Sequence, residues 1–351
     1  MATTPTTPRS RSSTGWSARM RVLACPASLK GVLSSRQAAS LLATGARRVD
    51  GVEVDEAPVA DGGEGFLDVV HAALGGELRT TVVAGPLGRP VQATWLLLAD
   101  GTAVVECAQA VGLPLVAESE RDPLRATSRG VGELLLAALA GGARALLVGV
   151  GGTATVDGGA GMRAAVDAER LRRVPMRVAC DVRNPLLGGQ GAARVFAPQK
   201  GARPADVEEL ERRLAALREL APYRDLAGAG AGGGLGAALA ALGGELVEGA
   251  ELVLDLIGFD ERARSAGVVV SGEGTVDATT LAGKAPGAVA RRAARLGVRC
   301  VLFGGVVRDG VEARALSGRP ERAAADLVWL GESLARELEP TRRSRGGASP
   351  S

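Results

Sequence analysis

The sequence predicts an α/β fold of two domains, one built on a mostly parallel sheet and the other an inserted, mixed α/β domain. Strand-like and helix-like runs alternate along the chain, glycine-rich turns join them, and a group of three short strands interrupts the alternation. The 351 residues are enough for two domains of ordinary size. Aromatic residues are only 2% of a chain that is 46% hydrophobic, so we expect cores of closely packed Leu, Val and Ala.

The elements of the first third follow in an order that fits this fold. RVLAC at 21–25 is a short buried strand, and the segment 34–49 has the apolar spacing of a helix with Ser34 or Ser35 as its N-cap. VEVDEAPVA is a second strand. From about 78 to 106, three short strands separated by Gly-Pro and Asp-Gly turns predict an antiparallel patch.

The rest of the chain returns to alternating strands and helices. A helix is predicted for RATSRGVGELLLAALAGG, a buried strand for ARALLVGVGG and a surface helix for DVEELERRLAALREL. GVVVSGEG at 267–274, APGAVARRAARLG and VRCVLFGG at 298–305 then repeat the strand–helix–strand order. Ligands of open parallel sheets bind beyond the carboxyl ends of the strands, and a cleft between two domains is the expected place for a site.

We therefore divide the chain into two domains and two tails. The terminal segments are rich in Ser, Thr, Pro and Arg and have no apolar core, which predicts disorder, although the first of them also fits a chain whose true start is Met20. The predicted parts are residues 21–77 with 245–338, the inserted residues 78–244, and the tails 1–20 and 339–351.

Composition excludes several classes of function. A net charge of +3 with both signs spread along the chain, and few aromatic side chains, argue against nucleic-acid binding. No run of eighteen apolar residues is present, so no membrane span is expected. The four cysteines are far apart, which indicates free thiols in a reducing compartment and hence a cytoplasmic protein. The single histidine, His71, lies on the predicted helix EGFLDVVHAAL and is expected to be structural, since a zinc cluster or a Ser-His-Asp triad is hard to build from one His.

The chain contains only three lysines against 39 arginines, and each lysine adjoins a glycine. They are Lys30, Lys200 and Lys284. Lysine is a compact point charge that suits a phosphate beside a closely approaching backbone better than a planar guanidinium does. The alternative is that three lysines simply survived a bias towards arginine.

Four glycine-rich segments are candidates for phosphate handling. Glycine lets backbone N–H groups approach an oxyanion, and a helix N-terminus favours negative charge. Carboxylates in such loops would repel a phosphate unless they hold a divalent cation, which indicates Mg²⁺. The segments are VADGGEG (59–65) with Asp61 and Glu64, VGVGGTATVDGGAGM (148–162) with Asp157, VVSGEGTVDATTLAGK (269–284) with Glu273, Asp277 and Lys284, and GAGAGGGLGAALAALGG (228–244).

Two other nucleotide motifs fit less well. No GxxxxGK[ST] is present, which excludes a P-loop. Gly149, Gly151 and Ala154 match GxGxxG/A after a strand and leave an NAD-linked oxidoreductase as an alternative. However, the segment Asp157-Gly158-Gly159 interrupts the helix that should follow.

Asp181 ends the predicted strand MRVAC and precedes Asn184-Pro185. An Asp at the carboxyl end of a strand can take a proton from a hydroxyl or hold a metal ion. It can equally cap the turn that leads into Asn-Pro, and the sequence alone leaves both roles open.

Taken together, these segments resemble the bacterial glycerate kinase family of the glycerate 2-kinase type. The resemblance runs in order from about Arg21 to Gly305. The motifs that carry it are PxSxKG at 26–31, VADGGEG at 59–65, GPLGRPV at 85–91, TSRGVGELLLAAL at 127–139, GVGGTATVDGGAGM at 149–162, VACDVRNPLLG at 178–188, FAPQKGA at 196–202, GAGAGGGLGAAL at 228–239 and SGEGTVDATTLAGKAPGAVARRA at 271–293.

The resemblance implies a Rossmann-like domain, a second α/β domain, and transfer of the γ-phosphoryl group of ATP to a hydroxyl of D-glycerate with Mg²⁺. Asp181 is then expected to orient or deprotonate the acceptor, with Lys30 and Lys200 on phosphate or the substrate carboxylate. The residues expected to bind nucleotide are Gly151, Gly152, Thr153, Asp157, Gly158, Gly159 and Lys284, and those expected to bind metal are Asp61, Glu64 and Glu273.

Two departures from the family pattern bear on the acceptor. The family usually has PDSFKG where this chain has PASLKG, so Ala27 replaces an acid. The family also has a longer segment where residues 163–177 join GGAGM to VACDV here. These departures leave open a related small hydroxy acid as substrate, or a non-catalytic descendant of the fold. No exposed apolar seam indicates an oligomeric state.

Overall fold

The computed structural model of the protein describes residues 20–308 and 310–339. The predicted tails therefore lie, apart from Met20 and Glu339, outside the described residues. The strands are β1 (Arg21–Ala24), β2 (Glu53–Glu56), β3 (Glu77–Ala84), β4 (Pro90–Leu97), β5 (Thr102–Glu106), β6 (Ala145–Gly149), β7 (Met176–Cys180), β8 (Glu245–Glu248), β9 (Val268–Val276), β10 (Cys300–Val307) and β11 (Arg314–Ala315).

The helices connect these strands and cover both faces of the sheets. Short 3-10 helices occupy Leu113–Leu115, Glu118–Glu120, Pro198–Lys200, Arg218–Tyr223 and Pro320–Arg322. The α-helices are α1 (Ser35–Ala46), α2 (Phe66–Leu74), α3 (Cys107–Val111), α4 (Arg129–Ala140), α5 (Ala160–Ala165), α6 (Ala168–Arg172), α7 (Ala192–Phe196), α8 (Pro204–Ala216), α9 (Ala231–Ala241), α10 (Gly249–Leu256), α11 (Phe259–Arg264), α12 (Ala278–Gly283), α13 (Ala285–Arg295) and α14 (Ala323–Leu338).

Two sheets organise the described residues, which confirms the predicted two-domain α/β fold. The first sheet has five parallel strands in the order β11-β10-β9-β1-β2. The second has six strands in the order β3-β4-β5-β6-β7-β8. Its first three strands are antiparallel, as the predicted patch requires, and β5 to β8 are parallel.

The second sheet extends past the boundary that we placed after residue 244. Strand β8 pairs in parallel with β7 through Arg177–Glu245 to Cys180–Glu248, so it belongs to the inserted domain. We therefore move the proposed end of that domain to Glu248, where α10 begins.

Apolar residues form three layers around the two sheets. One layer lies between the first sheet and helices α1 and α14, and another between the second sheet and helices such as α4, α8 and α9. The middle layer contains side chains from both sheets, including Leu23 of β1 and Leu147 of β6, together with Phe66 of α2 and Leu252 of α10. The two domains thus share a buried layer, which fixes one sheet relative to the other.

The described residues also bear on the expectations for the cysteines, for the N-cap of α1 and for a membrane span. Cys25, Cys107 and Cys180 are buried and all four cysteines are free. Ser34 is the N-cap of α1 and forms a capping box with Gln37. Within the described part of the chain, no helix combines the length and the apolar character needed to span a membrane.

Candidate active site

Loops at the carboxyl ends of three strands from the two sheets meet at one place. Asp61 lies in the loop after β2, Gly151 follows β6 and Asp181 follows β7. The N–H of Gly151 donates to the carbonyl oxygen of Gly62 at 3.0 Å. A Cβ at Gly151 would lie 2.6 Å from Gly63 Cα and 3.2 Å from Asp181 Oδ2, so only glycine lets these loops approach so closely.

Asp181 lies in an electrostatic environment that suits a base. Burial raises its pKa to about 6, and the neighbouring Asp61 contributes to the rise, while Lys30 and Lys200 oppose it. The carboxyl group is therefore ionised at neutral pH but is more basic than an exposed Asp. The structure thus groups four of the residues singled out from sequence: Asp61, Asp181, Lys30 and Lys200.

Lys200 is buried at the end of a 3-10 helix. Its Nζ donates to the carbonyl oxygen of Thr155 at 2.8 Å and lies 3.4 Å from Thr153 Oγ1. Burial lowers its pKa to about 8, against the opposing effect of Asp181 and Asp157. Thr153, expected to bind nucleotide, is itself buried and contacts this lysine. An ammonium with three donors retains hydrogen-bonding capacity beyond these two partners.

Lys30 differs from Lys200 in being exposed. It lies in the turn after β1, between Leu29 and Leu33, whose backbones are joined by a bridge. Among the described residues, no carboxylate lies within ion-pair distance of its Nζ. The ammonium group of Lys30 can therefore contact a ligand. Its charge also lowers the pKa of Asp181.

Asp157 and the two glycines after it are engaged inside the inserted domain. Asp157 accepts hydrogen bonds from the N–H and Oγ of Ser128 at 2.8 and 2.7 Å, and from the N–H groups of Gly159 and Gly161, each at 3.1 Å. The N–H of Gly158 donates to Gly233 O at 3.0 Å, and both Gly158 and Gly159 are buried. The N–H groups of Gly158 and Gly159 are thus used within the inserted domain, and the expected contacts of these three residues with nucleotide stay a prediction.

The three expected metal ligands do not converge. Glu273 lies within β9, where it pairs with Lys284 Nζ at 3.3 Å and accepts a hydrogen bond from Thr280 Oγ1 at 2.7 Å. Within the described residues, no group of three or more His, Cys, Asp or Glu side chains could hold a metal ion. The set of Asp61, Glu64 and Glu273 therefore stays a prediction, and Glu273 is paired with Lys284 in this structure.

Asp61 remains as a carboxylate near the base that suits a divalent cation. Its charge raises the pKa of Asp181, so the two carboxylates interact electrostatically. Mg²⁺ commonly takes one or two protein carboxylates and completes its coordination with phosphate oxygens and water. Asp61 fits such an ion when a phosphate ligand is also present.

Glu106, at the end of β5, is a polar residue near the site that sequence reasoning missed. The residue is only 3% exposed, and its Oε2 accepts the N–H of Leu67 at 3.1 Å, in the first turn of α2. The N-cap residue of helix α2, Gly65, has no side chain to accept a hydrogen bond from the first turn. The carboxyl group of Glu106, from the other sheet, accepts one instead. The only feature of the sequence that could have pointed to Glu106 is its position as a charged residue at the end of an apolar strand.

A cavity of 230 Å³ opens beside Asp181. Its wall is formed by residues of the inserted domain, including Cys180 and Leu246, and by Gly283 at the end of α12. The cavity thus lies between the two domains, where a site was expected. Gly152 is exposed in the loop after β6, whereas Lys284 follows Gly283 and is partly buried by its pairing with Glu273.

The alternative dinucleotide motif does not have the required structure. After β6 ends at Gly149, the chain continues without a helix until α5 begins at Ala160. A dinucleotide-binding turn should open a helix at its last glycine or alanine, here Ala154. Ala154 is instead buried, and its N–H donates to Val111 O.

Comparisons with known proteins agree on one family. Residues 22–173 and 166–328 match the sequence model of the Glycerate kinase family, and the two matches overlap at residues 166–173. The chain is 39% identical over 330 residues to a glycerate 2-kinase of Escherichia coli, covering 83% of this chain and 87% of that protein. It is also 39% identical over 329 residues to a glycerate kinase of Bacillus subtilis, covering 83% and 86%. A crystal structure described as a putative glycerate kinase 2 from Salmonella typhimurium superimposes with a TM-score of 0.75 at 34% identity, covering 91% of this chain and 98% of that one.

Proposed function

Because this chain belongs to the glycerate kinase family, we propose that it phosphorylates a hydroxyl group of D-glycerate with ATP, giving 2-phosphoglycerate. The observation that carries the proposal is that Asp61, Lys30 and Lys200 all act on the charge of Asp181, and that Lys30, Asp61 and Asp181 follow strands of the two sheets. Phosphoryl transfer needs a group that orients the acceptor hydroxyl and positive charge that offsets the phosphates, and this cluster supplies both.

In the proposed reaction, Asp181 accepts the proton of the acceptor hydroxyl. The acceptor oxygen forms a bond to the γ-phosphorus of ATP while the bond between that phosphorus and the β–γ bridging oxygen breaks, and ADP leaves. Because its pKa is raised to about 6, Asp181 is a stronger base than an ordinary Asp and is still ionised at neutral pH. Lys200, held by Thr155, offsets charge on the substrate carboxylate or the transferred group.

We include Mg²⁺ in the proposal, with Asp61 as a protein ligand and Asp181 kept free as the base. A bound Mg²⁺ would neutralise phosphate charge during transfer. The protein's own part is to hold the two carboxylates together, which the contact between Gly151 and the loop after Asp61 achieves. The buried free thiols Cys25, Cys107 and Cys180 support a cytoplasmic location for this reaction.

A coupled ADP-release assay across small hydroxy acids tests the proposal, with the phosphorylated position identified by phosphorus NMR. We expect glycerate to be the best acceptor. Release of ADP only with another hydroxy acid would replace glycerate as the substrate, and binding of ATP without transfer to any acceptor would indicate a non-catalytic protein. Thermal stabilisation by NAD but not by ATP would favour the oxidoreductase alternative.

The Asp181→Asn variant tests the role of the carboxylate. We expect kcat to fall by about 100-fold or more, because the amide cannot accept the proton. Asp225→Asn is a matched control, since Asp225 is an exposed aspartate on the surface of the inserted domain. Near-normal turnover of Asp181→Asn would exclude Asp181 as the base.

A further inference from the structure

A second and larger cavity, of 340 Å³, lies in the domain of the five-stranded sheet. It opens near the carboxyl ends of three neighbouring strands, where Lys30 follows β1, Glu273 to Thr275 lie in the last part of β9, and Gly305 and Val306 lie in the last part of β10. Its volume is within the range of small-molecule sites, and open parallel sheets bind their ligands at this edge. The glycine-rich loop expected to bind nucleotide lies in the other domain, whereas Lys30 and Lys284, expected to contact phosphate or nucleotide, line this cavity.

The walls of the cavity combine apolar side chains with an open sheet edge. Leu29, Val32, Val306 and Leu316 line it, and Val306 is 48% exposed although it is a large apolar residue in a strand. Within the described residues, β11 pairs with β10 only at Phe303 and Gly304, so β10 continues past its neighbour. Backbone donors and acceptors at an unpaired edge can bond to the edge of a planar ring held between apolar side chains.

The charged end of this cavity adjoins the candidate active site. Lys30 and Lys284 both line it, and Lys30 also lowers the pKa of Asp181. Gly283, the residue before Lys284, lines the smaller cavity that contains Asp181. The two cavities are therefore neighbours, and a ligand that extends from the larger one past Lys30 approaches the carboxylate.

We propose that the larger cavity holds the adenosine part of ATP, with the phosphates passing Lys30 and Lys284 towards Asp181. This inference rests on the proposed kinase function. It places the purine between Val32 and Val306 on the first domain and the acceptor beside Asp181 and Lys200 on the second. Nucleotide and acceptor thus enter from different domains, and the transferred group crosses between them.

Val306→Trp tests the assignment by filling the cavity. We expect the KM for ATP and the Kd for ADP, measured by titration calorimetry, to rise about tenfold or more, because the ring loses its apolar contact. The KM for glycerate should stay within about twofold, since the acceptor does not enter this cavity. Val82→Trp is the matched control, because Val82 is 66% exposed on β3 of the other sheet, away from both cavities. If Val306→Trp fails to fold, Val32→Trp serves with the same expectations.

The outcomes separate this inference from the proposed function. Unchanged ADP binding in a folded Val306→Trp variant overturns the assignment even if the wild type is an active glycerate kinase. A wild type that binds ADP but does not phosphorylate glycerate removes the proposed acceptor, and the ADP comparison still decides the cavity. A wild type that binds no adenine nucleotide overturns both.

Discussion

Replacing Glu106 by glutamine should change how the stability of the protein depends on pH. Burial raises the pKa of Glu106 from an ordinary value of 4.5 to about 7, although the N–H groups of Leu67 and Gly65 act to lower it. A tenfold change in an ionisation equilibrium is worth about 1.4 kcal/mol, so this difference corresponds to about 3 kcal/mol. The residue is almost fully buried, which keeps solvent screening small.

The sign of this pH dependence follows from whether the folded or the unfolded chain binds the proton of Glu106 more tightly. Between pH 4.5 and about 7 the unfolded chain has lost the proton of Glu106 while the folded protein keeps it, so stability falls as pH rises. Below that window both states are protonated, and above it both are ionised. A glutamine side chain at this position does not titrate in either state, so the variant lacks this contribution while other titrating groups cancel in the comparison.

Urea denaturation of both proteins at several pH values from about 4 to about 8 measures the effect. The unfolding free energy of the wild type minus that of Glu106→Gln should fall by about 3 kcal/mol across the window and be flat on either side. Glu261→Gln, at an exposed position on α11, is the control for glutamine itself. A difference for Glu106→Gln that is independent of pH, or that rises with pH, would refute the reasoning.

Three further predictions follow from the site. The value of kcat/KM should rise as pH rises through about 6, where Asp181 ionises, and fall above about 8, where Lys200 loses its charge, and a pH–rate profile checks both limbs. Asp157→Ala should lower the unfolding free energy by about 3 kcal/mol in a urea titration, because the N–H groups that it binds lose their acceptor. Gly151→Ala should lower kcat/KM by about 100-fold, because its Cβ would separate the loop at Gly63 from Asp181, and steady-state kinetics measures the loss.

Local sequence signals predicted most of the fold. The N-cap at Ser34 needs only Gln37 three residues later, and the antiparallel strands β3 to β5 are joined by short turns. Strand β8 was assigned to the wrong domain because its partner, β7, lies more than 60 residues earlier in the chain. Pairing between strands so far apart in the chain depends on tertiary packing. The sequence of a four-residue strand does not show which partner it will pair with.

The candidate site could also be predicted only where its residues carry a local signal in the sequence. Asp181 could be singled out because a carboxylate at a strand end is visible in sequence. Glu106 could not, because its role depends on the start of α2, 39 residues away. Asp157 looked like a ligand contact because glycines surround it, whereas those glycines let it bind backbone N–H groups of its own loop. An acidic residue among glycines is thus compatible with either a ligand or an internal anchor.

The scarcity of lysine also makes the unmodified protein easy to label. Lys200 is buried and Lys284 is held by Glu273, so an amine-directed ester would react first with Lys30, apart from the terminal amine. A fluorophore attached there would sit at the junction of the two cavities. Because the amide formed by the ester carries no charge, the labelled protein should lose the phosphate contact that we propose for Lys30.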